Sequence, residues 1–367
     1  MLNALVQLEE RQVWLKLRNT YAGHKKEICM REEARIEEWK RLYEVATRIQ
    51  KLAPWELLWD MDLIGIQVGN EPENTVFYSI LGKGGDCYGI AVYEGDDGLN
   101  SFLMLTMHER MNLSVEYAMF NQSNLTCYWG NREELSAKQR ETIKELGYKY
   151  RGKNNWLYFM SYESGYYPYN LDRDEVVRMT EHLENLEMAY ASYKKADIHI
   201  DFENGKMFSF VFSADKKTWH YGEEPLPFTC YNFGNLVITD KELLGELRKA
   251  PKGTFILEAD VRPLGAAVSD KKFDKPANPA MSILTEANTG MIISCDMNEP
   301  DEDAMVNLAE AVIGFILKAG APKEIRISNI IVQAALEQIC ETCEIKLRRV
   351  SCLKGMDDFW MTMKRYR

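Results

Sequence analysis

The chain has no apolar run long enough to cross a bilayer. Its longest apolar stretches, such as Ala311 to Leu317, fit a buried helix, whereas a membrane span needs about 20 residues. Nor is there an excess of basic charge. Lys and Arg number 45 against 56 Asp and Glu, for a formal net charge of −11. That argues against a dedicated nucleic-acid coat, because phosphate contacts come from clustered Lys and Arg. A local basic groove is still open to it.

Catalytic signatures are also scarce. The five histidines, at 24, 108, 182, 199 and 220, are scattered, and none stands in an HExxH helix motif. No GxSxG nucleophile elbow and no Gly-Lys-Ser/Thr phosphate loop occurs. The first residues lack the apolar core of a secretory signal. The 8 cysteines are spread thinly from Cys29 to Cys352. Together these features predict a cytoplasmic protein with reduced thiols and no membrane partner. Internal repeats and low-complexity segments are missing too.

What is present is ordinary globular composition: 367 residues, 46% hydrophobic and 28% charged. At roughly 100–200 residues per domain, two domains are expected.

Periodicity divides the chain into four parts. Residues 1–53 read as an N-terminal helical arm, with Ile36, Trp39, Leu42, Tyr43, Ala46 and Ile49 on one face. This arm can pack on the body or form a homodimer with a second copy. Residues 54–196 read as an α+β domain with an antiparallel sheet, its strands at about 63–68, 76–81, 88–93, 113–120 and 125–129. Residues 197–253 read as a connecting hairpin and irregular segment. The hairpin pairs 198–202 with 207–212 through Asn204-Gly205, and 214–235 is irregular. Residues 254–367 read as an α/β domain with a mixed sheet, since two late helices alternate with two short strands after a hairpin.

The Gly-rich stretch 82–86 is followed by a strand, not by a helix, so it reads as a hairpin turn. Cys340 and Cys343 form a CxxC without the further ligands zinc needs, which favours packing. Lys149, Arg151 and Lys153 precede Trp156, Tyr162, Tyr166 and Tyr169. Aromatics after basic residues can stack bases and contact phosphates, or the segment can be a loop anchored in the core.

The tail's order, hairpin then helix, strand, helix, strand, resembles part of the RNase H-like fold. Enzymes of that fold hold two metals between carboxylates. Candidate acids are Asp260, Glu286, Asp296 and Asp357, while uncharged Ser328-Asn329 stands where an acid would be wanted. This points to a degenerate, non-catalytic relative. Lys346, Arg348, Arg349, Lys354, Lys364, Arg365 and Arg367 bias the end of the chain toward a polyanion.

The block from Ile143 to Val176, with Leu146-Gly147, Arg151-Gly152-Lys153, Trp156, Ser161-Tyr162 and Gly165-Tyr166, resembles a two-domain family of bacterial proteins of unknown function. Residues 53–67 and 88–99 are similar to that family's first domain, and 285–304, 319–329 and 343–353 to its second. Glu286, Tyr169 and Ser164 depart from the Asp, Trp and Pro that the family pattern carries. The resemblance implies two domains and a bacterial setting. It implies no activity, substrate or catalytic residue.

The first functional expectation is therefore a non-catalytic binding or interaction protein, with a protein or a nucleic acid as partner and no cofactor. The alternatives are a metal-dependent hydrolase or nuclease using the four acids, and a small-molecule pocket built on the aromatics of 156–169.

Overall fold

The computed structural model describes residues 31–69, 71–196, 198–213, 215–227 and 236–365, together with the backbone of Leu17–Arg18. The short strand β1 (Leu17–Arg18) is extended where a helix was expected, and the rest of 1–30 lies outside the described residues.

Helix α1 (Ile36–Leu52) starts in a capping box between Arg35 and Glu38. Its buried stripe is Trp39, Leu42, Tyr43, Val45, Ala46 and Ile49. That face packs on the protein's own first sheet, in one core with Phe159 and Leu183. The apolar stripe is thus covered within the chain, which lends no support to a homodimer through it.

The first sheet is seven-stranded. Its members are β2 (Ile64–Val68), β3 (Val76–Leu81), β4 (Tyr88–Glu94), β5 (Asn124–Gly130), β6 (Trp156–Tyr162), β7 (Lys206–Ser213) and β8 (Thr218–Pro225). Strands β2 to β6 form an antiparallel meander, and β7 adds in parallel beside β2. Register puts Phe208, Ile64, Tyr78, Val92 and Leu125 in one cross-strand row. Residues aligned in this way share a face, and all five are buried. Helices α1, α4 (Ala137–Glu145) and α5 (Arg173–Ala196) cover that face. Helix α2 (Gly95–Met107) covers part of the other through Leu99 and Phe102, against Phe77 and Tyr93.

Two expectations change here. Residues 113–120 are not a strand. Ser114 accepts a hydrogen bond from the Tyr117 amide and caps the short helix α3 (Val115–Phe120), a local cap that outweighs the β-branched and aromatic content. The connecting hairpin is also different. Residues 198–202 form no strand; β7 pairs instead with β8, and the pair extends the first sheet. Phe208 and Phe210 are buried in that sheet's core, so this hairpin is structural and not a connector.

The second sheet follows the short strand β9 (Val237–Ile238), which pairs with β1, and helix α6 (Lys241–Arg248). It comprises β10 (Ile256–Pro263), β11 (Ala280–Glu286), β12 (Ile292–Asn298), β13 (Glu324–Ile327) and β14 (Lys346–Arg349). Their order is β12-β11-β10-β13-β14, antiparallel on one side of β10 and parallel on the other. Helices α7 (Ala304–Ala319) and α8 (Ile330–Thr342) pack on one face around Leu257, Ala259 and Leu284. Helix α9 (Lys354–Arg365) packs on the other through Met356 and Trp360 against Met281 and Ile283. Both sheets are mixed, giving an α+β region followed by an α/β region. Among the described residues, no helix is long and apolar enough to cross a membrane.

Candidate functional site

The four candidate acids are divided by the second sheet. Asp260 pairs across with Ile283 and Cys295, which face α9. Glu286 pairs with Leu257, and Asp296 pairs with Ser282 and through it with Val261, on the α7–α8 side. Alternation along a strand therefore sends Glu286 and Asp296 to the opposite face from Asp260. Glu286 is occupied locally: its carboxylate accepts from the Asn288 and Thr289 amides at 3.1 and 2.8 Å. Asp296 is exposed and accepts from the Ser294 hydroxyl.

Asp260 and Asp357 do come together, with Arg262 between them. Arg262 Nε donates to Asp260 Oδ2 at 3.0 Å, and Arg262 Nη2 donates to Asp357 Oδ1 at 2.7 Å. Asp260 Oδ1 also accepts from the Val261 amide at 3.0 Å and from Asn329 Nδ2 at 3.1 Å. Asn329 caps α8 with its own oxygen. Burial pushes the Asp260 carboxyl above its ordinary range, against the pull of Arg262. Burial acts the same way on Asp357, but the Cys352 thiol and Arg262 hold it below its ordinary value. Beside this cluster, buried Glu258 accepts from the Met356 amide at 3.1 Å and secures the start of α9. Among the described residues, no group of three or more His, Cys, Asp or Glu side chains is placed to hold a metal ion.

The aromatic candidates do not form one platform. Trp156 and Tyr162 stand at opposite ends of β6, about 20 Å apart at the rise of a strand. Trp156 packs on Tyr150, with Arg132 over its ring. Lys149, Arg151 and Lys153 are exposed near that end. At the other end, the Tyr162 hydroxyl meets that of Tyr128 at 2.8 Å, and Tyr169 bridges to Ser161 with Arg31 over its ring. Tyr166 is drawn into the contact between the two sheet regions, where it bridges to Ala277 beneath Lys275. The basic end is also partly neutralised, since Lys346 and Arg348 both approach Glu324. Lys364, Arg365 and Arg367 have side chains outside the described residues. Cys340 and Cys343 are both buried, and burial pushes the Cys340 thiol up to about 12. Burial of this kind disfavours the thiolate that metal binding and thiol exchange require.

The contact between the two regions forms a half-open cavity of about 260 Å³. On one side stand Tyr117 of α3 and Asn121 just after it, with Ser164 and Gly165, and on the other Asn278, Pro300 and the acidic approach to α7. Backbone hydrogen bonds pin the edges: Tyr167 N to Pro276 O at 2.9 Å and Asn278 N to Gly165 O at 2.7 Å. Lys275, almost fully buried, pairs with Glu163 across the contact. Gly165 has φ of +81°, and a Cβ there would lie 2.9 Å from Pro300 Cβ. Burial raises the Tyr117 phenol, and the nearby Asp260 and Asp303 carboxylates add to the shift. The sequence reading missed this site. Its only signals are the polar Pro-containing loop at 269–279 and the acidic run before α7.

An α+β region docked on a mixed-sheet α/β region thus defines a two-domain protein. Residues 39–209 match the domain of unknown function DUF7309, and residues 243–364 match the domain of unknown function DUF6930, which supports a two-domain family of unknown function. No curated protein matches the chain. Among solved structures, it is similar to the HTLV-2 integrase catalytic core domain in complex with magnesium, at 14% identity over 32% of this chain and 71% of that one, with a TM-score of 0.23. It is also similar to a chain of the simian T-cell lymphotropic virus intasome in complex with PP2A regulatory subunit B56 gamma, at 13% identity, 33% and 43% coverage, and a TM-score of 0.24. Likenesses this distant carry no argument about the chain.

Proposed function

We propose that this is a non-catalytic binding protein whose C-terminal domain is a degenerate RNase H-like unit. The observation that carries the reading is Arg262. Its guanidinium lies between Asp260 and Asp357, where a cation shared by those carboxylates would have to sit. Uncharged Asn329 completes the cluster. A second reading, a metal-dependent hydrolase, draws on the same convergence of Asp260, Asn329 and Asp357, but it requires Arg262 to withdraw. The aromatic and basic stretches expected to meet a nucleic acid are dispersed, so the cavity between the domains is the favoured binding site. The bacterial, cytoplasmic setting expected from the sequence is carried as part of this proposal.

The test is incubation with single- and double-stranded DNA and RNA in Mg²⁺ or Mn²⁺, alongside native mass spectrometry of the purified chain. The expected result is intact nucleic acid and a retained small-molecule mass. Cleavage that is lost on Asp260→Asn would overturn the reading in favour of the hydrolase.

A further inference from the structure

The interdomain cavity has a one-sided chemistry. Among the described residues its walls carry three carboxylates, Glu299, Glu302 and Asp303, and no Lys, Arg or His. Glu299 is paired with Lys272 at the rim. Glu302 is not matched in this way. Its Oε2 accepts from the Glu299 amide at 2.9 Å, and among the described residues no ion pair reaches it. The site therefore favours a cationic group on the ligand.

A second, independent feature asks for the opposite polarity. Asn278 is 3% exposed and forms part of the cavity wall. Its Oδ1 accepts from the Gly265 amide at 3.0 Å, while its Nδ2 is buried with no hydrogen-bond partner among the described residues. Leaving a buried donor unpaired costs about 1–3 kcal/mol, and such a group in a folded protein points to a missing acceptor. An acceptor oxygen on the ligand meets that need. The volume of 260 Å³ is that of roughly nine waters at about 30 Å³ each. A molecule of amino-acid size fits it, whereas a nucleic-acid strand does not.

We infer that the cavity binds a small basic amino acid or a close derivative, its cationic end at Glu302 and Asp303 and its carboxylate or carbonyl oxygen at Asn278. Tyr117 and the Asn121–Ser164 pair, joined at 2.8 Å, form the wall contributed by the first domain. Both domains are needed to build the site, so ligand binding also holds them together. This inference rests on the reading of the chain as a binding protein.

The experiment is calorimetry and thermal unfolding of the full chain with L-arginine, L-lysine, agmatine and L-glutamate. Arginine or lysine binds and raises the Tm. Agmatine, which keeps the cation but lacks the carboxylate, binds more weakly, and glutamate does not bind. Glu302→Gln, at an exposed position that folding tolerates, weakens the basic ligand by about tenfold or more, the usual effect of losing a charged hydrogen bond. Asn278→Leu removes the preference for arginine over agmatine. Failure of both arginine and lysine to bind the folded wild-type chain overturns the inference, as does unchanged affinity in Glu302→Gln. If the purified chain retains some other small molecule while arginine and lysine fail, this inference falls and the binding reading stands. Metal-dependent cleavage would instead remove the binding reading.

Discussion

Arg262 joins Asp260, on its own strand β10, to Asp357 on α9, 95 residues beyond Arg262 in the chain. Its strength comes from the desolvation of its partner: Asp260 is 4% exposed and could not stay ionised there unaided. Arg262→Met should therefore cost about 3–5 kcal/mol, because it strands a buried charge and does more than delete one contact. Adding Asp260→Asn to the same chain should recover most of that loss, since the amide carries no charge to compensate. Urea denaturation of the single and double variants checks both outcomes. A single variant as stable as the wild type would show that Arg262 does not hold this cluster together. None of this was legible in the sequence. Asp260 and Asp357 could be picked out as acids, but a long-range ion pair depends on which strand faces which helix.

At the scale of elements, legibility followed burial. Helices α7 and α8 carry strong apolar stripes and clear caps, Asp303 and Asn329, and their positions were readable. Strand β8 was not. Its residues are mostly exposed because it is the edge of the sheet, so no alternation marks it. Strand β7 was readable as a strand but not as a member of the first domain, because its partner β2 lies well over 100 residues earlier. That assignment has a consequence. Phe208 is fully buried and stacks near Phe210 and Tyr193. Phe208→Ala should cost about 3–5 kcal/mol, and the loss should appear in the first domain's unfolding transition. If the hairpin were only a connector, the substitution would leave that transition unmoved.

At the scale of the whole molecule, the question is what holds the two domains in register. The sequence showed a Gly-Tyr within an aromatic stretch and a polar loop at 269–279, but it gave no sign that the two would meet. In the structure, the segment around Gly165 pairs with the loop around Asn278 and lies directly against Pro300. Two separate demands fall on Gly165: a left-handed backbone, with φ of +81°, and space for Pro300. Gly147 provides the control. Its φ is +78°, yet among the described residues nothing lies within 4 Å of a Cβ built there. Gly147→Ala should therefore show the backbone cost alone, about 1–2 kcal/mol. Gly165→Ala should cost more, and the excess should come from the domain contact. Thermal unfolding followed by intrinsic fluorescence, with limited proteolysis of the 264–279 loop, separates the two effects. Faster cleavage of that loop in Gly165→Ala, but not in Gly147→Ala, would mark loosened docking. Equal behaviour of the two variants would mean that Pro300 can yield and that the interface is softer than its close packing implies. Because the cavity is walled by both domains, loosened docking should also weaken whatever binds there.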